Sequence, residues 1–453
     1  TYTDPIFAIP QSVAVLFELQ NPQKTLDHLR YENDLWRSLN GIPQFSSFAS
    51  NIIKLDTILD KHNDLKDLIN DKKLYISLHT QDNNTIDALY LFALDPSFTD
   101  SRIHDFILNT SEESCQIIPK TYNSVDLEYL KSDTIAKFIY TIHKGVFIGS
   151  ASEALIKKAV DHLESGQSVG SFSFDKVRRT AGKKVDANIY IQHKHFNRML
   201  VALSNEGYHD NVQLLKNLGL WTETDLIIKE DELLLNGYTD HTDTTDQFLQ
   251  VFSGQEPQDI NIQRILPYNS NFILCLGIES FDTYYNSYNA ISTIQEPDIK
   301  LIYSVSKWIG NEVALVVAGH SGATQNTYSL IHIRDKDKTG EMMTSYTFRN
   351  PIKYKDYLIF KTLGEKSIPA IFGRAFQGVK MDYLVRVDDY FIFGENPASL
   401  ELFINTYLSG KTLKRNENYK NFADNLSDKS NIFIYLNIRN STDYVNKYLS
   451  QPF

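Results

Sequence analysis

Two distant stretches of the chain share one pattern of hydrophobic and polar positions. Residues 147–166 read FIGSASEALIKKAVDHLESG, and residues 392–410 read IFGENPASLELFINTYLSG. Each stretch has a short apolar run that ends in Gly, followed by apolar residues spaced three and four apart. This pattern predicts a strand followed by an amphipathic helix. The predicted buried stripes are Leu155, Ile156, Ala159, Val160 and Leu163 in the first helix and Leu400, Phe403, Ile404, Tyr407 and Leu408 in the second.

The two helices are predicted to begin at different capping residues. Ser152 precedes the first helix, whereas Asn396 followed by Pro397 precedes the second. Ser and Asn accept hydrogen bonds from the free N–H groups of a helix start, and Pro fits the first helical turn. The start at Ser150 could also hold an anion, but the second copy has Glu395 there, which would repel one. We interpret the shared stretch as a structural element.

The similarity extends beyond this helix, in the same order along the chain. The matching segments are 9–19 with 266–278, 74–95 with 313–335, 138–149 with 383–394, and 174–194 with 419–439. A collinear match with so long a period indicates duplication of a whole domain rather than a solenoid repeat. We therefore predict two tandem homologous units.

The first unit is predicted at residues 1–198 and the second at 262–453, with a helix, a β-hairpin and a connector at 199–261. Each unit has hairpins with inserted helices and lacks regular strand–helix–strand alternation. This favours an α+β fold in which each unit is a mainly antiparallel β-sheet with helices packed on one face. The β-hairpin of the 199–261 stretch has no copy after the second unit. We therefore expect the second unit to be truncated at its C-terminal hairpin.

The composition excludes some functions. The 453 residues include 42% hydrophobic and 22% charged ones, which is typical of a globular protein. The net charge is −11 and Lys and Arg do not cluster, which argues against nucleic acid as a partner. No apolar run is long enough to span a bilayer, so any membrane attachment is expected through an anchor outside this chain.

Few residues are candidates for a metal or catalytic site. Cys115 and Cys275 are too few for a cysteine zinc site, and Cys275 lies in an apolar run where a buried thiol is expected. His193 and His195 lie two apart at a predicted strand end, which would place both imidazoles on one face, either in solvent or around a metal. His79 and His320 follow matching strands and could bond to the backbone or contact a ligand.

The sequence also leaves the role of the acidic candidates undecided. Asp240, Asp243 and Asp246 could contribute to a calcium loop, but the segment lacks the Gly and the final Glu of such a loop, so a solvated linker is the competing interpretation. Nothing in the sequence selects an acid/base pair among the adjacent carboxylates Glu112, Glu113, Asp388 and Asp389. Asn-x-Ser/Thr triplets, which we do not interpret as glycosylation sites, occur at Asn83, Asn109, Asn425 and Asn440.

The chain resembles an uncharacterised bacterial cell-envelope family that is known as a domain of unknown function. The resemblance rests on GVFIGSASEALIKKAVDHLESGQS, ANIYIQHKHFN, LWTETDLIIKEDELLLNG and ILPYNSNFILCLG, in that order. It implies a periplasmic or cell-surface protein exported behind an upstream signal or membrane anchor. It implies no functional residue, because the shared motifs are structural.

These observations yield no specific function, and we assign no catalytic, cofactor-binding or metal-ligating residue. The segments that the two units share are those that make a fold. We therefore expect a non-enzymatic extracytoplasmic module that acts as a binding or scaffold domain for a protein or glycan partner of the envelope. A carrier of a lipid or other hydrophobic ligand is the alternative, and a hydrolase with a non-local active site is a third possibility.

Overall fold

A computed structural model describes residues 3–33, 72–94, 116–131, 138–241, 247–291, 299–319, 325–363 and 368–437, apart from positions 83, 168, 170–171, 210–211, 213–217, 231–232, 378 and 425 within them. The chain divides into two compact units at Thr245 and Asp246. Each unit is built around one antiparallel sheet. The α+β class with mainly antiparallel sheets is confirmed.

The first unit contains a ten-stranded sheet in the order β10-β9-β8-β1-β2-β3-β7-β6-β5-β4. Its strands are β1 Val13–Leu19, β2 Leu74–Thr80, β3 Ile86–Ala93, β4 Gln116–Tyr122, β5 Val125–Lys131, β6 Phe138–His143, β7 Val146–Ser150, β8 Ala187–Gln192, β9 Trp221–Ile228 and β10 Leu233–Asp240. The β9–β10 hairpin belongs to the 199–261 stretch of the sequence, and it extends the sheet beyond β8.

The second unit contains an eight-stranded sheet in the order β15-β16-β17-β18-β14-β13-β12-β20 and a small β11-β19 pair. Its strands are β11 Gln258–Asp259, β12 Ser270–Gly277, β13 Ile309–Ala318, β14 Asn326–Ile333, β15 Ile352–Tyr354, β16 Tyr357–Lys361, β17 Tyr383–Val387, β18 Tyr390–Gly394, β19 Lys429–Ser430 and β20 Ile432–Leu436.

The two sheets have the same strand order over eight positions. The run β8-β1-β2-β3-β7-β6-β5-β4 of the first sheet corresponds one to one with β20-β12-β13-β14-β18-β17-β16-β15 of the second. Among the described residues, β9 and β10 of the first sheet lack a counterpart, and so does the small β11-β19 pair of the second unit. This order is what tandem duplication would produce, although common descent of the units and their exact limits stay predictions.

Short helices connect and cover the strands. They are α1 Pro22–Asp27, α2 Glu153–Ser165, α3 Phe172–Arg178, α4 His193–Leu203, α5 Phe281–Ile291, α6 Ile299–Ser306, α7 Gly340–Tyr346, α8 Arg374–Gln377, α9 Pro397–Leu408 and α10 Glu417–Ala423. Single turns of 3-10 helix occur at Pro5–Ala8, Glu206–Tyr208, Phe248–Phe252, Ile262–Arg264, Lys336–Thr339, Ile368–Phe372 and Leu413–Arg415, and a π turn at His28–Glu32. Among the described helices, none is long and apolar enough to cross a membrane.

Helices pack on both faces of the second sheet, so the expectation of helices on one face is wrong. Val313 of β13 packs in one core with residues of α5 and α6, whereas its neighbour Ala314 packs in another core with α9 and α10. Successive residues of a strand point to opposite faces. The near-continuous burial of β12 and β13 follows from this double coverage, because both faces of each strand are shielded from water.

The first sheet is also covered on both faces. Leu16 of β1 packs in the core that includes the buried stripe of α2, whereas Val15 packs with Met199 of α4 on the other face. The predicted stripe of α2 is buried throughout. In α9 Leu400, Phe403 and Ile404 are buried. The stripe prediction is wrong at its end, because Leu408 in the last turn is 50% exposed.

The helix starts differ in their caps. The Asn396 side chain accepts a hydrogen bond of 2.9 Å from the Ser399 N–H, which confirms it as the cap of α9. Ser152 stands at the cap position of α2, but its side chain makes no capping bond, so that prediction is wrong. The Ser150 hydroxyl instead accepts a bond from the Ser152 N–H and donates to the Ala88 carbonyl.

Candidate functional site

The second unit has a pocket at one end of its sheet, where β12 starts, β13 ends and β14 starts. These three ends meet at one edge because the strands are antiparallel. The last turns of α9 form the opposite wall. The pocket has a volume of about 530 Å³ and is lined by Pro267, Tyr268, Asn269, Ala318, Gly319, Asn326, Tyr328, Leu402, Phe403, Asn405, Thr406, Ser409 and Lys411.

Backbone hydrogen bonds hold the rim of the pocket in place. The Tyr268 N–H donates to the Lys411 carbonyl at 3.0 Å, and the Gly319 N–H donates to the Asn269 carbonyl at 3.2 Å. Buried Asn271 donates from its side chain to the Gly319 carbonyl at 2.7 Å. The segment before β12 is therefore tied both to the end of β13 and to the turn after α9.

Some lining side chains are already engaged within the protein. The Asn405 side chain donates to the Tyr354 hydroxyl at 2.7 Å and accepts from the Lys355 ammonium at 2.5 Å. The Thr406 and Ser409 hydroxyls donate to carbonyls of their own helix. These side chains form part of the wall, and they already make hydrogen bonds within the protein.

Three other lining side chains are unused. Within the part of the chain that the structure describes, the amides of Asn269 and Asn326 and the ammonium of Lys411 make no hydrogen bond or ion pair. An amide offers two donors and an acceptor, and an ammonium offers three donors. Among the described residues that line the pocket there is no carboxylate and no histidine. The pocket therefore presents free polar groups and one positive charge to a ligand.

The corresponding place in the first unit is occupied by His79. The first pair of β1 with β2 is Val13 with His79, and the first pair of β12 with β13 is Ser270 with Ala318. In both sheets a register shift follows directly after this pair. His79 therefore corresponds in register to Ala318, a lining residue of the pocket. His320, its expected counterpart, lies outside the described residues.

His79 has a structural environment. It is 1% exposed, with its Nδ1 3.2 Å from the Ser12 hydroxyl and its Nε2 3.0 Å from the Ser77 hydroxyl. Burial lowers its pKa to about 3, and nearby His195 and Lys158 add to this effect. His79 is therefore neutral at physiological pH and is held between two hydroxyls.

His193 and His195 do not lie on a strand end, so that prediction is wrong. β8 ends at Gln192, and both histidines belong to the first turn of α4. Residues two apart point in different directions on a helix, so the imidazoles do not share a face. His193 is buried and bonds to the Thr222 hydroxyl at 2.8 Å. Among the described residues, no group of His, Cys, Asp or Glu could hold a metal ion.

The interpretation of Asp240 as part of a solvated linker is wrong. Asp240 lies at the end of β10 and is 4% exposed. Its carboxylate accepts from the Ser173 hydroxyl at 2.7 Å and from the Lys176 ammonium at 2.5 Å. Lys176 and Ser173 oppose the effect of burial, so the pKa of Asp240 is lowered. Asp243 and Asp246 lie outside the described residues.

Asp388 and Asp389 form an ion-pair network rather than an acid/base pair. Asp388 lies 2.7 Å from the Arg264 guanidinium, and Asp389 contacts the same guanidinium. The Asp389 carboxylate is 3.5 Å from Nε2 of His332. The side chains of the network are partly exposed and lie outside the pocket lining. They fasten the β17–β18 turn to the segment before β12.

Sequence reasoning missed several buried acids. Glu18, Glu223 and Glu312 are at most 3% exposed. Burial raises the pKa of Glu223 to about 7, with a contribution from Asp225, and burial raises the pKa of Glu312 to about 7. None of them lines the pocket. An acidic residue inside an apolar strand, such as Glu18 in VAVLFEL of β1, could have indicated a buried carboxyl from the sequence alone.

Cys275 is buried and free, and burial raises the pKa of its thiol, as expected for a core residue. The remaining sequence candidates lie outside the described residues. They are Glu112, Glu113, Cys115 and the triplet residues Asn83, Asn109, Asn425 and Asn440. These positions stay predictions.

The second unit carries a family match. Residues 303–451 match a protein family that is described as a protein of unknown function, DUF3352. The match covers about a third of the chain and confirms the resemblance to a domain of unknown function. The DUF3352 segment includes the pocket residues from Ala318 to Lys411 but not Pro267, Tyr268 and Asn269. No curated protein and no solved structure matches the chain.

Proposed function

We propose that this protein is a non-enzymatic, extracytoplasmic binding module that holds part of an envelope partner in the pocket of its second unit. The observation that carries the proposal is a pocket of about 530 Å³ with unused polar side chains at Asn269, Asn326 and Lys411. Ligand sites are concave and pair apolar surface with a few available polar groups. The extracytoplasmic location rests on the sequence resemblance alone.

The lining supports binding better than the alternatives. A carrier of hydrophobic ligands needs a continuous apolar pocket, whereas this rim carries amides, hydroxyls and an ammonium. A hydrolase needs a base beside its nucleophile. The Ser409 hydroxyl donates to the Thr406 carbonyl at 2.9 Å, and none of the described lining residues is a carboxylate or a histidine that could act as its base.

Binding can be tested with two leucines of α9 that form a matched pair. Leu402 and Leu408 are 53% and 50% exposed, but only Leu402 lines the pocket. We expect a protein-observed NMR screen of small polar compounds to yield ligands that shift the signals of Asn269 and Asn326. Leu402→Ala should weaken those ligands several-fold, because it removes apolar contact area, while Leu408→Ala should leave them unchanged.

The proposal would be overturned by a screen in which no compound shifts pocket signals, or by ligands that respond equally to both leucine variants. Location requires a separate experiment. Expression of the natural gene, followed by cell fractionation, should place the protein outside the cytoplasm. Recovery in the cytoplasm alone would remove the extracytoplasmic part and leave the binding part standing.

A further inference from the structure

We propose that the pocket recognises an anionic sugar, a polyhydroxylated ring that carries one carboxylate or phosphate group. This inference rests on the proposed binding function and names the class of its ligand. It draws on three features of the pocket: its charge, its unused amides and its apolar surface. Each feature matches one part of such a ligand.

The charge of the pocket favours an anion. Lys411 is the one charged residue among the described lining residues, and its exposed ammonium has no partner within that part of the chain. No carboxylate among the described lining residues neutralises this charge or repels an anion. The lysine ammonium is a compact positive charge with three donors, so it can donate hydrogen bonds to either a carboxylate or a phosphate group.

The unused amides suit hydroxyl groups on different parts of a ligand. Asn269 directly precedes β12 and Asn326 opens β14, so they lie at the same edge of the sheet on either side of β13, about two strand spacings apart. Each amide can donate and accept at once, and a sugar hydroxyl also does both. Both residues are half-buried, and a ligand that covers an amide without bonding to it loses affinity, which selects for a polyhydroxylated group over an apolar one.

The apolar part of the lining suits the C–H faces of a sugar ring. Tyr268 is 38% exposed and Leu402 is 53% exposed, while Phe403 and Tyr328 lie buried beneath them. Aromatic residues offer an apolar face together with a polar edge. The volume of about 530 Å³ lies within the range of small-molecule pockets and admits one or two sugar rings.

The test measures the affinities of the full chain for glucuronate, glucose 6-phosphate and glucose by isothermal titration at low salt. We expect both anions to bind at least about tenfold more tightly than glucose, because a charge-assisted hydrogen bond replaces a neutral one. Lys411→Gln should weaken the anions by about the same factor and leave glucose unchanged. The stronger of the two anions identifies a carboxylate or a phosphate as the natural group.

Lys414→Gln is the matched control, because Lys414 is exposed three residues away and does not line the pocket. Equal affinity for glucose and the anions, or equal effects of the two lysine variants, would overturn the inference. If no sugar binds while compounds from the NMR screen still shift pocket signals, the inference fails and the binding function stands. If neither sugars nor compounds reach the pocket, both fail.

Discussion

The same corner of the two sheets is packed in the first unit and open in the second. In the first unit the residue paired with the start of β1 is His79, which is buried between Ser12 and Ser77. In the second unit the residue paired with the start of β12 is Ala318, which lines a pocket of about 530 Å³. The strand order and the register shift around the two positions are the same.

This difference lies at one register position in two sheets that have the same strand order. A large polar side chain at this register position fills the corner and satisfies its own hydrogen bonds. A methyl group at the same position leaves space beside Asn269 and Asn326. The backbone arrangement is kept, so the change is one of side-chain volume and not of fold. The proposed binding site therefore lies where the two sheets differ, and the segments that they share did not point to it.

The largest effect is expected from His79→Ala. The change removes a buried ring and leaves the Ser12 and Ser77 hydroxyls without their partner. We expect the free energy of unfolding to fall by about 3–4 kcal/mol, since a cavity and unsatisfied groups both contribute. Urea unfolding measures it. His195→Ala, at a half-buried histidine of α4, should cost less than about 1 kcal/mol. Equal losses would contradict a packing role for His79.

Buried Glu312 should give stability a pH dependence. Burial raises its pKa from 4.5 to about 7. The folded state therefore holds a proton that the unfolded state releases above pH 4.5, and the associated stability is lost as the pH rises through 7. We expect wild type to lose about 2–3 kcal/mol more than Glu312→Gln between pH 5 and 8.

The control for this measurement is Glu395→Gln, at an exposed position before α9. It should keep the wild-type pH profile. His79 has the opposite sign, because its lowered pKa makes stability rise with pH from about 3 to 6.5. A Glu312→Gln profile that parallels wild type from pH 5 to 8 would show that this carboxyl titrates in its ordinary range.

The caps of the two matching helices should differ by about 1 kcal/mol. Asn396→Ala removes the capping bond to the Ser399 N–H, and loss of such a cap costs about 1 kcal/mol. Ser152→Ala removes no side-chain capping bond and should cost less than about 0.5 kcal/mol. Urea unfolding of both variants tests this, and a Ser152→Ala loss as large as that of Asn396→Ala would contradict the described cap geometry.

A small effect on stability is expected from Ala318→His, which places the first-unit residue in the second unit. The pocket offers space for the ring, so we expect a change within about 1 kcal/mol. The same variant should abolish the binding of pocket ligands in the NMR screen. Unaltered binding would show that the His79 and Ala318 positions are not equivalent. The binding site would then be tested only by the Leu402 and Leu408 variants of α9.

Local patterns predicted much of the fold. The stripe of α2 is buried as its spacing required, and Asn396 caps α9 as its side chain suggested. Sheet coverage was mispredicted, because a strand buried on both faces has the same apolar run whether its helices lie on one side or two. His193 was misassigned because the end of β8 and the start of α4 are contiguous, and no breaker residue separates them.

The candidate site was not predictable in this way. Pocket residues Asn269, Asn326 and Lys411 come from three separate segments, and none forms part of a motif. Asn and Lys are ordinary surface residues, so only their convergence on one cavity distinguishes them. The buried acids likewise became visible only when the strand faces were known, although Glu18 inside an apolar strand was a signal that could have been followed.

By itself the sequence determined the antiparallel α+β class, the matching helices and the order in which similar segments recur, because these follow from periodicity and capping within a few residues. The tertiary structure decided that His79 is buried, that Ala318 lines a pocket and that Lys411 and Asn269 line the same pocket. These outcomes depend on register between strands far apart in the chain. A shift of one residue would turn each side chain to the other face of the sheet.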